Sequence, residues 1–301
     1  MSIRGRIVAT LIRPNKFLYR FIRPSAKGVR RYVHPQSWLG GKLCSPRGVK
    51  IQKTAYSDVP CVTFTPKIKS EKKAIIVFLH GGGYCFGSSL TTHRLGVALM
   101  AKHTGITCHS IDYRLAPEHP YPAALDDAMT AWQGIVDSYP DHIIILSGDS
   151  AGGGLSLAMM MQLRDSRGRL PDAAILFSPW TDLTCQGDSY DTKARTDPMF
   201  TPSMPRDCSE YYAPEGVDKT NPYISPAFGD LSNLPRMLIL CGGNEILLSD
   251  SENLAQQAKS AGVDVELALW ENMFHDWWLF GLFIPETKQC LSKVSTWLNS
   301  A

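Results

Sequence analysis

The 301-residue sequence predicts an α/β domain in which parallel strands are buried between layers of helices. Three observations carry that expectation. The segments Lys73–His80 and Ile143–Leu146 are continuous apolar runs, as central parallel strands require when helices cover both faces. The second run stops at Gly148-Asp149-Ser150-Ala151-Gly152 and leads into a helix-like segment, Leu155 to Arg164, so that strand, sharp turn and helix follow one another. Strand-like and helix-like segments also alternate from Lys73 to Ser138 and again from Met237 to Asn299.

Taken in order, Ile3, Ile7 and Leu11 repeat at helical spacing, Pro14 interrupts them, and Phe17, Leu18, Phe21 and Ile22 resume the pattern as far as Pro24. Two short amphipathic helices are expected, laying an apolar face on the rest of the protein; contact with a membrane surface is the alternative. Residues 38–48 read as loop, and Val49–Ile51 and Val62–Phe64 as antiparallel edge strands. After the strand at 73–80 come a helix (Leu90–His103), a strand (Gly105–Tyr113), a Pro-rich loop and a helix (Ala123–Ser138). Arg114, Glu118 and Asp126, in and after that loop, read as ion-paired scaffolding. The strand Ala173–Trp180 precedes a break in the rhythm. Residues 184–234 hold many prolines and aromatics, which suit short helices and loops placed over the C-terminal ends of the strands. A strand (Met237–Cys241), a helix (Ser249–Ser260), a strand (Val263–Trp270) and a last helix (Glu286–Asn299) restore it.

Composition narrows the class. Hydrophobic residues make up 44% of the chain, enough for one large core. The eight cysteines are scattered singly, which fits free thiols in a reducing, cytoplasmic setting better than disulfides or a zinc site, and no metal is expected. No apolar run reaches spanning length, so no integral membrane span is expected. The net charge of +3 conceals an asymmetry, because no acidic residue precedes Asp58 and the basic head stands on a net acidic remainder. Such a head could contact a membrane surface, bind nucleic acid or serve as a targeting peptide; the partner expected is a small molecule, with no nucleic acid, and a homodimer is left open.

The chemistry is concentrated in four places. Gly-Asp-Ser-Ala-Gly is a G-x-S-x-G nucleophile elbow, whose glycines are needed where strand and helix approach too closely for a Cβ. A tightly packed or phosphate-binding turn is the alternative, although neither a Walker lysine nor a G-x-G-x-x-G spacing is present. His80-Gly81-Gly82-Gly83 closes the first buried strand, where unobstructed backbone N–H groups could receive an oxyanion; a flexible turn is the bland reading. A serine needs a base, and of eight histidines only His275 follows Ser150. The orienting acid should come from the loop after Cys241, where Glu245 can reach His275. Asp250 competes but falls in the first turn of the next helix, where it would favour the helix dipole, and Asp182 lies one strand too early.

With HGGG at 80–83, DYRLAPEHPYPAALDDA at 112–128, GDSAGG at 148–153, DPMFTP at 197–202 and NMFHDW at 272–277, the chain resembles the hormone-sensitive lipase family of esterases, especially its bacterial branch, from about Lys73 to the C-terminus. The resemblance implies an eight-stranded α/β-hydrolase fold, with residues 51–301 as catalytic domain and a helical cap built from residues 1–50 and the 184–234 insertion. It also implies cofactor-free hydrolysis of short-acyl carboxylic esters, with Ser150 as nucleophile, His275 as base, and Gly82, Gly83 and Ala151 as oxyanion donors. Tyr84 and Phe86, beside the glycines, are candidates for the substrate pocket. One departure is plain: Asn244-Glu245-Ile246-Leu247 stands where many members have Asp-Pro-Leu, which puts Glu245 at the acid position. A lactonase with the same triad, or a ligand-binding protein on an inactive hydrolase fold, are the other functions such a chain could serve; the retained His275 argues against the second.

Overall fold

The computed structural model describes residues 1–22 and 25–300; the side chains of residues 17, 18 and 20–22 are not among those described, so the expectations on Phe17, Leu18, Phe21, Ile22 and Pro24 lie outside them. The elements are α1 (Ile3–Ile22), α2 (Ala26–Cys44), β1 (Val49–Tyr56), β2 (Val59–Pro66), β3 (Ala74–Leu79), α3 (Arg94–Thr104), β4 (Thr107–Ile111), α4 (Ala123–Ser138), β5 (Ile143–Asp149), α5 (Ser150–Asp165), β6 (Ala173–Phe177), α6 (Ser189–Thr192), α7 (Ser203–Tyr212), β7 (Met237–Gly242), α8 (Leu248–Ser260), β8 (Val265–Trp270) and α9 (Pro285–Asn299). One eight-stranded sheet runs in the order β1-β2-β4-β3-β5-β6-β7-β8. The β1–β2 and β2–β4 pairings are antiparallel and all the others parallel.

Strand alternation divides the core in two. On β3, Ile75, Val77 and Leu79 join one cluster with Leu125 of α4, Leu155 of α5 and Leu254 of α8, while Ile76 and Phe78 join the other with Val97 of α3 and Leu291 of α9. Phe78 is fully buried, so truncating it to alanine would cost roughly 3–5 kcal/mol.

The N-terminal segment departs from expectation in three ways. α1 continues through Pro14, so that proline does not end a helix; α2 likewise runs through Pro35. A helix proline removes one backbone hydrogen bond, and α1 is fastened on both sides of Pro14: Ser2 Oγ donates to Glu286 Oε2 at 2.8 Å, and Tyr19 Oη donates to Asp207 Oδ2 at 2.9 Å. Residues 38–44, expected as loop, are the last turns of α2. Gly41 is what lets α2 close on α3, since a Cβ there would lie 3.2 Å from Arg94 Cβ. Finally, the Ile3, Ile7, Leu11 stripe does not pack on the protein. Ala9, Val8 and Ile12 do, and the stripe faces outward.

Candidate active site

The site begins where β5 turns into α5. Ser150 occupies the junction with φ 51°, a left-handed conformation that a serine adopts only when its surroundings impose it. Those surroundings are the glycines. A Cβ at Gly148 would lie 2.3 Å from Gly152 O, and one at Gly152 would lie 2.0 Å from Leu79 O. A turn built only to pack tightly would carry a further glycine at the strained position; here a hydroxyl is held there, 6% exposed.

β3 runs beside β5 and delivers the second piece. Gly82 and Gly83 have φ 111° and 58°, and a Cβ at Gly82 would lie 2.1 Å from Phe86 O. Among the described residues neither N–H donates a hydrogen bond, and the N–H of Ala151 belongs to the first turn of α5, where no carbonyl four residues back can receive it. Asp149 ties the two pieces together. Its Oδ1 accepts from Gly81 N at 2.9 Å and its Oδ2 lies 2.9 Å from His93 Nε2. Burial opposes ionisation of this pair, but mutual attraction prevails, holding Asp149 below and His93 above their ordinary values. Neither residue was singled out by sequence reasoning, although Asp149 lies inside the elbow motif.

β7 and β8 supply the third piece. Glu245, in the turn after β7, is completely buried. Its Oε2 accepts from Ser178 Oγ at 2.9 Å and lies 3.4 Å from His275 Nδ1, and its Oε1 accepts from Cys241 Sγ at 3.0 Å. His275 follows β8, with the Phe200 ring 4.8 Å from its own. Its Nε2 does not reach Ser150: no hydrogen bond joins the two residues, and Nε2 lies instead 2.9 Å from Asp276 Oδ2. Burial disfavours an imidazolium here, but the Asp276 and Glu245 carboxylates together raise the His275 pKa well above its usual value. Burial, partly offset by His275 and reinforced by Asp149, pushes Asp276 up to about 7. Asp276 was overlooked in the sequence; adjacency to His275 was the only signal, and its left-handed φ of 49° is what turns the carboxylate back onto the ring.

Asp250 begins α8 as expected, but its role is larger than a dipole contact. Buried, it accepts from Thr181 N at 2.8 Å, Asp182 N at 2.9 Å and Thr181 Oγ1 at 3.3 Å, fastening the exit of β6 to α8. Asp197 pins the acid turn in a similar way: Oδ2 accepts from Ile246 N at 3.0 Å and Oδ1 from Phe200 N at 2.9 Å, so the 184–234 segment holds the turn beside Glu245 and the ring beside His275 together. That segment also meets the glycine turn, since a Cβ at Gly83 would lie 2.8 Å from Cys208 Sγ. Of the pocket candidates, Tyr84 is 1% exposed and stacked on Tyr212 at 3.8 Å, so it backs the turn from within, whereas Phe86 keeps accessible surface. The scaffolding pairs differ in one partner: Arg114 pairs with Asp127 rather than Asp126, and Glu118 pairs with Arg30 of α2.

Solved structures carry the same architecture, and relatives share much of the sequence. The family model described as alpha/beta hydrolase fold matches residues 76–279. An acetyl-hydrolase of Streptomyces hygroscopicus is 38% identical over 228 residues, covering 75% of each chain. A crystal structure of an esterase from the bacterial hormone-sensitive lipase family superposes with a TM-score of 0.91 at 32% identity, covering 100% of this chain and 98% of that one. The structure of EstE5 soaked with p-nitrophenyl butyrate matches with a TM-score of 0.88 at 32% identity over 100% and 99% of the two chains. The chain therefore belongs to the α/β-hydrolase family and, within it, to the bacterial hormone-sensitive lipase branch of carboxylic ester hydrolases.

Proposed function

We propose that the protein hydrolyses short-acyl carboxylic esters through an acyl-enzyme on Ser150, with His275 as general base and acid and Glu245 as the carboxylate that orients it. The observation that carries this reading is the strained Ser150, held at φ 51° between glycines that leave no room for a Cβ, beside a glycine turn in which, among the described residues, the N–H groups of Gly82 and Gly83 donate to nothing. In the proposed cycle the neutral imidazole directs its Nδ1–H at Glu245, 3.4 Å away, as it turns Nε2 from Asp276 to Ser150 Oγ. Ser150 attacks the carbonyl carbon as its proton passes to Nε2, and the N–H groups of Gly82, Gly83 and Ala151 receive the oxyanion. Collapse expels the alcohol with the proton from Nε2; water then attacks the acyl-enzyme by the same route and releases the acid. The imidazolium formed between two carboxylates is stabilised by both, which suits an intermediate that must carry positive charge.

Residues 1–50 and 184–234 act as the cap in this reading. Phe86 and Phe200, beside the glycine turn and His275, would wall a short acyl pocket, in keeping with a relative named an acetyl-hydrolase and a structural neighbour soaked with p-nitrophenyl butyrate. The test is a rate comparison over p-nitrophenyl esters of increasing acyl length and over simple lactones, with Ser150→Ala as baseline. Highest kcat/KM on acyl groups of about two to six carbons is expected. Faster turnover of long-chain triglyceride emulsions, or of lactones, or an active Ser150→Ala, would contradict it.

A further inference from the structure

The outward face of α1 has no role in the chemistry above. Ile3, Ile7 and Leu11 form a ridge that is 75%, 45% and 71% exposed, on the side of the helix opposite the one that docks on the body through Ala9. Exposed large apolar side chains concentrate here: of thirteen among the described residues, three are on α1, four on α2, and two are Leu282 and Phe283, where Arg4 lies over the Phe283 ring. The 281–283 loop and the end of α2 both abut the start of α3, since Cβ atoms at Gly281 and Gly41 would touch Leu95 and Arg94. Single exposed leucines need no explanation; a helical ridge of three, on a helix whose Arg4 lies over the exposed Phe283 ring, does.

Charge identifies the occupant. Thirteen of the 31 lysines and arginines and none of the 28 acids precede Asp58, leaving 18 cations against 28 acids in the remainder. Arg4, Arg6 and Arg13 are exposed along the flanks of the apolar ridge. A second copy of the chain would bring two such basic heads together, and a nucleic acid offers no apolar phase for the isoleucines and leucine. We propose that the outer face of α1 docks the protein on an anionic lipid membrane, with Ile3, Ile7 and Leu11 entering the headgroup boundary, the arginines meeting lipid phosphates, and the acidic body facing away. Because the inner face of the same helix is fixed to the body, docking places the esterase at the lipid surface without unfolding α1. This inference does not rest on the assignment of the triad.

The test is co-sedimentation of the full chain with phosphatidylcholine vesicles with and without phosphatidylglycerol, at low and high salt, alongside hydrolysis of p-nitrophenyl butyrate in solution. Binding at least about tenfold tighter to the phosphatidylglycerol vesicles, weakened by salt and weakened at least about tenfold by Ile7→Glu with Leu11→Glu, is expected, with solution hydrolysis unchanged. Arg6→Glu, which alters no apolar contact, should also weaken binding and flatten its salt dependence. No binding by the wild type, equal binding by these variants, or a wild-type dimer that the variants dissociate without vesicles would each overturn it.

Discussion

Replacing Glu245 by glutamine separates charge from shape at the least conventional position of the proposed triad. Oε2 is the oxygen that accepts from Ser178 and faces His275 Nδ1, at 2.9 and 3.4 Å, so an amide oxygen at that place keeps both contacts and its NH2 falls on Cys241 Sγ, a weak acceptor. The fold and the imidazole tautomer should survive; what is lost is the negative charge beside the imidazolium that forms in the transition state. At 3.4 Å and an effective dielectric near 20, that attraction is about 5 kcal/mol at most. A second carboxylate, Asp276, supplies part of the same field, so the expected loss is smaller than the ceiling but at least about two orders of magnitude in kcat, or roughly 2.7 kcal/mol. The assay is steady-state hydrolysis of p-nitrophenyl butyrate, with matched circular dichroism and melting for the variant. Asp250→Asn is the control, because Asp250 contacts the Thr181 turn and not His275; it should lose less than about tenfold. A near-normal Glu245→Gln beside a folded, inactive Asp250→Asn would refute the reasoning and make Asp250 the acid.

Three further outcomes follow from the same contacts. Deleting residues 1–31 should lower solution activity, because Lys16 Nζ donates to Ala194 O and Asp197 O beside the acid turn, and Arg30 Nε donates to Cys85 O behind the glycine turn; a deletion that only lost vesicle binding would show the head to be an anchor alone. Burial raises Asp250 from 3.8 to about 7, so the folded state retains a proton that the unfolded state has released, and its contribution to stability falls as pH rises from about 4 to about 7, by on the order of 4 kcal/mol if it titrates alone. The melting temperature of Asp250→Asn relative to wild type should therefore be more favourable at pH 8 than at pH 5, which thermal scans in both buffers would check, and a constant difference would count against the assignment. Asp276→Asn removes one of the carboxylates that raise His275, so the acid limb of the kcat/KM profile should move to lower pH; a limb that stays put or moves up would show that Asp276 does not act through the imidazole.

The parts of the site that were legible in the sequence are those in which local geometry demands a residue type. The elbow glycines have no room for a Cβ, the glycine turn must leave its N–H groups open, and a lone histidine after Ser150 left no other base to choose. Glu245 was proposed through spacing alone, and its carboxylate stands 3.4 Å from His275 Nδ1. What could not be read depends on contacts between distant segments. Pro14 marked a helix end by the ordinary rule, but fastening at Glu286 and Asp207 carries α1 through, and Gly41 served close packing rather than a loop. The ridge of α1 predicted a docked face because helical periodicity reveals that a stripe exists and not which way it turns. Asp276 was invisible for a similar reason, since only a left-handed φ brings the carboxylate of the following residue back to the imidazole.

The central claim, that Ser150 forms the covalent intermediate, is tested most directly by treating the protein with diethyl p-nitrophenyl phosphate and locating the adduct by peptide mass spectrometry. One diethylphosphoryl group per chain on Ser150, formed in step with the loss of esterase activity and absent from His275→Ala, is the predicted result. Full inactivation with the label on another residue, or labelling of Ser150 that leaves activity intact, would contradict the account.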